Sequence, residues 1–302
     1  MSQMDKPQYN IEKKSSSTAM FAAIHRYLSL FESNPDFSSK DSLSGWFVPP
    51  VIKFMLGIRW FRQRVHKKLY KEVPGTYEYV IARTKFFDEQ FVKALAEHVP
   101  QVVILGAGYD TRALRYQERM EGTKIFELDT GVLQARKRKI FKQNKASTPA
   151  NLIFCPITFG KTSIAKVLAG AGYDSEKKTL FLWEGVTYYL TESSVLETLV
   201  FIKNNAGSGS ELVFDYFYKS FIDGECDYFG AKTLSDTVTQ TGEPYLFGIE
   251  EGGLSQFIAE MGFDVVCRQM PEDLEKHYLS GKDGSLGKVY GFAECVHARL
   301  KI

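Results

Sequence analysis

The chain is poor in the residues that build disulfide frameworks and zinc sites. Its 302 residues hold four cysteines, Cys155, Cys226, Cys267 and Cys295, far apart and with no CxxC pair. That spacing argues against a zinc site or disulfide scaffold and for a reduced, cytoplasmic setting. Net charge is only +2, so the broad positive field of a nucleic-acid binder is missing. No apolar run reaches about 18 residues, the length a membrane-spanning helix needs. The start of the chain is polar and lacks the apolar core of a signal peptide. Residues 1–15 are expected to form a flexible lead-in. There is no internal repeat, and no low-complexity tract beyond the serines at 15–17. Apolar residues make up 44% and aromatics 14%, ample for one large core with an apolar pocket.

Residues 18–31 carry apolar side chains near period 3.6 and predict a helix. Residues 45–70 crowd Trp46, Phe47, Phe54, Ile58, Trp60 and Phe61 together, with Arg59, Arg64, Lys67 and Lys71 following. A membrane-surface amphipathic segment is one reading. The other, favoured because the bases trail the apolar residues instead of forming a second face, is a helical cap with its basic side in water. From residue 77 helices and strands alternate. Helices are expected at 77–96, 112–120, 133–142, 163–169 and 192–204, the last capped by Thr191. Strands are expected at 102–105, 124–128, 152–155, 179–183 and 211–215. Such alternation predicts a mainly parallel, doubly wound sheet. A helix at 254–261 and strands at 264–268 and 288–300 follow. Polar residues 271–287 between the last two read as a hairpin connection, so the final strand is expected antiparallel. Residues 216–247 form an aromatic-rich insertion suited to a lid.

The chemistry is concentrated where the strand ending at Leu105 runs into Gly106, Ala107 and Gly108, followed by Asp110 and Thr111. A strand that turns on glycines into a helix offers free backbone N–H groups to a ligand. A dinucleotide fingerprint would carry a third small residue where Thr111 stands. Glu127 and Asp129 close the next strand, about 20 residues on, where a carboxylate can accept from ribose hydroxyls; a helix N-cap is the competing role for one of them. Glu184, with Gly185, ends the fourth strand. It either faces a cationic ligand group there or is satisfied by backbone amides in a tight turn.

The run from Val103 to Arg112, the run Phe126 to Asp129 and the run Trp183 to Leu190 resemble the leucine carboxyl methyltransferase family, in particular its bacterial branch of proposed S-adenosyl-L-methionine-dependent O-methyltransferases. Weaker similarity passes through Arg83, Phe214 to Tyr216 and Glu260 to Phe263. The resemblance covers nearly the whole chain after residue 15. It implies a class I, Rossmann-like methyltransferase fold: a seven-stranded, mostly parallel sheet with an antiparallel last strand and helices on both faces. The domain would span 16–302, with a helical cap at 16–75, the sheet core at 76–215 and 248–302, and the lid at 216–247. The resemblance also implies roles. Gly106, Ala107 and Gly108, with Asp110, would lie along the methionine part of the cofactor. Asp129 would hold the ribose beside Glu127, Glu184 would sit near the amino-acid moiety, and Arg83 would grip the cofactor carboxylate. After the third strand the family commonly has an acid near the adenine amino group. Here Thr158 and Phe159 stand there, so adenine recognition is expected to rest on a hydroxyl and the backbone.

Methyl transfer from a sulfonium is a direct displacement that depends on holding the acceptor in line. A carboxylate acceptor needs no base, whereas a hydroxyl benefits from one. The five histidines, at 25, 66, 98, 277 and 297, read as surface or cap residues, no metal is expected, and Tyr188 is the candidate to orient an acceptor oxygen. Relatives in the family esterify a protein C-terminus, act in tRNA modification or methylate small metabolites. The near-neutral charge favours a small, largely apolar acceptor with no nucleic acid and no stable membrane insertion. The competing functions are an NAD-dependent dehydrogenase, which Thr111 disfavours, and a catalytically silent binding module of the same fold.

Overall fold

The computed structural model describes residues 11–159, 162–241, 244–282 and 284–301. Seven strands form one sheet: β1 (Gln101–Leu105), β2 (Lys124–Asp129), β3 (Leu152–Pro156), β4 (Thr179–Trp183), β5 (Glu211–Phe217), β6 (Phe263–Gln269) and β7 (Ala293–Leu300). Their order is β3-β2-β1-β4-β5-β7-β6. The first five pair in parallel, and β7 lies antiparallel between β5 and β6. The antiparallel final strand is therefore as expected. β1, β4 and β5 are buried along their whole length, as continuous apolar runs covered on both faces must be. Strand order reverses between β1 and β4, which opens a crevice at the carboxyl ends of those two strands.

The helices are α1 (Ile11–Ser29), α2 (Pro50–Gly57), α3 (Arg59–Glu72), α4 (Thr76–Ala96), α5 (Arg112–Arg115), α6 (Gly131–Gln143), α7 (Ile164–Gly170), α8 (Glu192–Asn204), α9 (Lys219–Ile222), α10 (Ala231–Thr241), α11 (Leu254–Glu260) and α12 (Pro271–Tyr278). Thr191 caps α8 through the Ser194 amide, as its position suggested. α4 is buried around most of its circumference, because α1, α3 and α12 pack on it and it crosses the sheet at β4, β5 and β7.

Several boundaries differ from those read in the sequence. The first helix starts at Ile11, so it takes in residues 11–15 of the expected lead-in; residues 1–10 of that lead-in lie outside the described residues. β5 runs on to Phe217, which moves the start of the insertion to Tyr218. α5 stops at Arg115 and a 3-10 turn follows; Arg112, Arg115 and Tyr116 all turn toward Asp88 there. The supposed hairpin connection at 271–287 begins as a helix, α12, with Pro271 at its first position and Glu272 and Asp273 in its first turn. Among the described residues of that segment, Ser280–Gly281 and Gly284–Ser285 pair as a short hairpin. Among the described residues no helix is long and apolar enough to cross a membrane, and no cluster of three or more His, Cys, Asp or Glu could hold a metal ion.

Candidate functional site

The β1 turn folds back on β2. The Gly106 and Ala107 amides both donate to the Leu128 carbonyl, at 2.8 and 3.0 Å. Gly106 and Gly108 take φ of +69° and +47°, a region that costs a side chain dearly. A methyl group on Gly106 would meet Val186 Cγ2 at 2.5 Å, so this glycine also makes room for the β4 turn. Such a methyl on Gly108 would lie 3.3 Å from Ala19 of α1 and 3.9 Å from the Gly106 carbonyl.

Asp129, at the end of β2, accepts from the Gly108 amide through Oδ2 at 2.7 Å and from the Thr130 amide through Oδ1 at 2.6 Å. Burial raises its pKa against the pull of those two N–H groups. The N-cap of α6 is Thr130 rather than either acid. Glu127 takes a different position from its neighbour. It is buried and paired with Lys137 of α6 at 2.7 Å, and its Oε1 has no hydrogen-bond partner. Burial pushes its pKa up to about 7 despite Lys137. Beyond β3, Pro156 stands opposite Asp129 in register and the Ile157 amide donates to the Asp129 carbonyl. Thr158 and Phe159 follow, both half-buried. The strand ends thus bring them beside the end of β2.

The second half of the site lies at the ends of β4 and β5. Arg83, delivered by α4, donates from Nε to Glu184 Oε1 at 3.1 Å and from Nη1 to both Asp215 Oδ2 and the Tyr188 hydroxyl at 3.0 Å. It is a buried residue, which rules out a solvent-facing role. Asp215 is fully buried and also accepts from Tyr79 and from the Gly185 amide. Burial raises its pKa, and Arg83 opposes the rise. Glu184 is satisfied by arginines and not by backbone amides, because its Oε2 lies 2.8 Å from Arg112 Nη2. Tyr188 stacks flat on Phe217, centroids 4.0 Å apart, with Tyr245 edge-on at 5.3 Å. Burial drives its phenol pKa well up, so it is a neutral hydroxyl that accepts from Arg83 and keeps its own proton to donate.

Arg112 joins the halves. Its guanidinium meets Asp88 at 2.7 Å, Glu184 and the Asp110 carboxylate. Burial alone would push the Asp110 carboxyl up, but Arg112 and Lys137 hold it below its ordinary value. From Asp88 the network continues through Arg115 to Asp41 and Arg26. Thr111, which breaks the dinucleotide pattern, is buried and donates to Asp41 at 2.8 Å. Arg26, Arg83, Arg112 and Arg115 face Asp41, Asp88, Asp110, Glu184 and Asp215, five carboxylates against four guanidinium groups. This arginine network holds one carboxylate more than guanidinium groups, which suits a cationic ligand group.

All the residues singled out in the sequence gather at these strand ends, although Glu127 turns to Lys137. Asp215, Arg112, Lys137 and Asp88 were missed. Asp215 left a signal, a carboxylate in the middle of a strand between Phe214 and Tyr216; the others look like ordinary helix-surface residues. Two histidines are not on the surface. His297 of β7 is buried against Glu211, and His25 of α1 is fully buried.

The residues that could hold S-adenosyl-L-methionine fit it in three respects: an acid with spare lone pairs at the β2 end, an arginine beside the β4 turn, and the surplus carboxylate of the arginine network. Comparison with known proteins points to the same cofactor. The model of the leucine carboxyl methyltransferase family matches residues 19–203. The chain is similar to YktD of Bacillus subtilis, a proposed S-adenosyl-L-methionine-dependent methyltransferase, with 24% identity over 91% of this chain and 95% of that one. It is 35% identical to a protein of the same description from Streptomyces coelicolor, over 44% of this chain and 46% of that one. In fold it is similar to a DUF574-family protein of Streptomyces avermitilis, TM-score 0.59 at 12% identity over 93% and 97% of the two chains. A proposed methyltransferase of Thermobifida fusca gives 0.56 at 12% identity, over 80% and 89%.

Proposed function

The chain belongs to the leucine carboxyl methyltransferase family, whose members are S-adenosyl-L-methionine-dependent methyltransferases, and from that premise we propose that it methylates a carboxylate or hydroxyl oxygen of a small, largely apolar molecule. When bound, the cofactor supplies the electrophilic methyl group on its sulfonium.

The observation that carries the oxygen-acceptor reading is the Tyr188 hydroxyl. Arg83 fixes it from one side, and its free proton is available to an acceptor oxygen. The rings of Phe217 and Tyr245 around it exclude water and suit an apolar acceptor body. Asp129 holds the cofactor ribose with the lone pairs not used by Gly108 and Thr130. Arg83 uses Nε and Nη1 in the bonds above, which leaves Nη2 for the cofactor carboxylate. Glu184 and Asp215 hold that arginine in place and favour the ammonium and sulfonium charges. Thr158 and Phe159 take the adenine edge. Gly106, Ala107, Gly108 and Asp110 shape the turn along the methionine part, and Glu127 supports it through Lys137. The insertion from Tyr218 and the α2–α3 cap then choose the acceptor.

The dehydrogenase alternative has no support, and β7 running antiparallel between β5 and β6 departs from the dinucleotide fold. The test is transfer of labelled methyl from the cofactor into panels of small aromatic acids, phenols and amines. Label in base-labile esters or in ethers supports the reading. Label only in amines overturns the oxygen acceptor. Cofactor binding by titration with no transfer to any extract fraction favours the silent module.

A further inference from the structure

α2 and α3 carry a face that the core does not use. Phe61, Val65 and Leu69, four residues apart on α3, pack inward, as does Leu56 on α2. On the outer side Val51, Phe54 and Trp60 are 71%, 74% and 64% exposed, with Ile58 beside them. Val51 and Phe54 share one face of α2 at i and i+3, and Ile58 is the extended residue that joins α2 to α3. Isolated exposed apolar residues are ordinary, but four within ten positions are not. The bases do not simply trail this patch, as their place in the sequence suggested. Arg64, Lys67 and Lys71 continue the outward row from Trp60 along α3. Residues 50–71 contain seven lysines and arginines and no carboxylate. Lys68 meets Glu72 at 3.7 Å, an exposed pair worth little.

We propose that this face docks the protein peripherally on an anionic phospholipid surface, a role beyond methyl transfer. Val51, Phe54, Ile58 and Trp60 enter the headgroup layer, and the cations of α3 lie along the phosphates. Charge complementarity selects the partner. The bases are strung along roughly 21 Å of helix, and mobile headgroups can meet each one without a matching fixed array. An apolar patch flanked by lysine and arginine, with a tryptophan at the boundary, is the makeup of an interfacial helix. Each base near such a surface contributes on the order of 1 kcal/mol.

The full chain is sedimented with phosphatidylcholine vesicles and with vesicles containing phosphatidylglycerol, at low and high salt. The expected result is partition to the anionic vesicles only, weakened by salt, with a blue shift of tryptophan emission that Trp60→Phe removes. The triple variant Lys67→Glu, Lys68→Glu, Lys71→Glu should lose on the order of a hundredfold in partition. Phe54→Ser should lose about tenfold. Both substitutions are at exposed positions, so melting and S-adenosylhomocysteine binding are expected to stay unchanged and report a folded protein. Equal partition to neutral vesicles, no partition to anionic ones, or variants that sediment like the parent overturn the proposal. A concentration-dependent dimer that Phe54→Ser disperses would instead assign the face to a second copy of the chain.

Discussion

Arg83 and Asp215 stand 132 positions apart in the chain and meet in the core, Nη1 to Oδ2 at 3.0 Å, with neither exposed to solvent. The pair closes the floor of the site between α4 and β5. Removing one partner leaves a buried, uncompensated charge. Asp215→Ala is expected to cost about 3 to 5 kcal/mol and to lower the melting temperature on the order of 10 °C. Differential scanning calorimetry checks this. Asp215→Asn, which keeps an acceptor for the Gly185 amide, should lose less. Equal losses would mean that the charge accounts for the whole effect, and an Asn variant as stable as the parent would mean that it contributes nothing.

Asp129→Asn tests the ribose site. The substitution keeps the shape but turns an NH2 group on one of the two amides that Asp129 serves, so the melting temperature should fall by a few degrees. Affinity for S-adenosylhomocysteine, read by titration calorimetry, should fall about 10- to 100-fold. An unchanged affinity would put the ribose elsewhere and leave Asp129 as a clasp on the Gly108 turn.

Most of the sheet was legible in the sequence, because a fully buried parallel strand reads as an apolar run that stops at a turn. β4 and α8 end where their patterns end. The antiparallel β7 was expected because residues 271–287 read as a hairpin connection, and the direction holds although a helix stands there. α12 was not legible, although Pro271 and its two acids are a helix start; eight residues with few apolar members leave little periodicity to read. The site was legible where it lies on strand ends beside glycines. Its arginine network was not, because Arg112 and Arg115 open a helix as exposed bases would. Only the fold shows that Asp88, from the preceding helix, sits between them.

Tyr188→Phe separates orientation from binding. Arg83 Nη1 keeps Asp215 as partner, so the fold should lose only about 1 kcal/mol. The turnover number should fall roughly tenfold or more while the cofactor dissociation constant stays constant. A rise in the Michaelis constant with unchanged turnover would assign Tyr188 to uniform binding of the acceptor.

Gly106→Ala meets two separate penalties, a φ of +69° and Val186 Cγ2 at 2.5 Å. Val186→Ala should relieve the second and not the first. The double variant is therefore expected to regain part, but not all, of the stability that Gly106→Ala loses. A double-mutant cycle measures the coupling, expected at about 1 kcal/mol or more for groups in contact.

His25 gives the structure a predictable acid sensitivity. Its Nδ1 bonds to the Phe21 carbonyl at 2.8 Å, so the ring carries its proton there and turns a bare Nε2 into the core, where it has no partner. Burial, chiefly, lowers its pKa from 6.5 to about 4, and nearby Arg26, His66 and Arg83 add to the effect. The unfolded chain protonates this ring near pH 6.5, whereas the folded chain holds it neutral down to about pH 4. Stability is therefore lost as pH falls through that window, by about 3 kcal/mol in all. Glu78 and Glu127, both raised to about 7 by burial, slope the other way between their ordinary value and pH 7. They are present in parent and variant alike, so the difference between the parent and His25→Leu isolates the imidazole. Urea unfolding at a series of pH values should show the parent's advantage shrinking, or the variant's growing, from pH 7 to pH 4. A flat difference across that range would mean that the ring reaches solvent and titrates as it does in the unfolded chain.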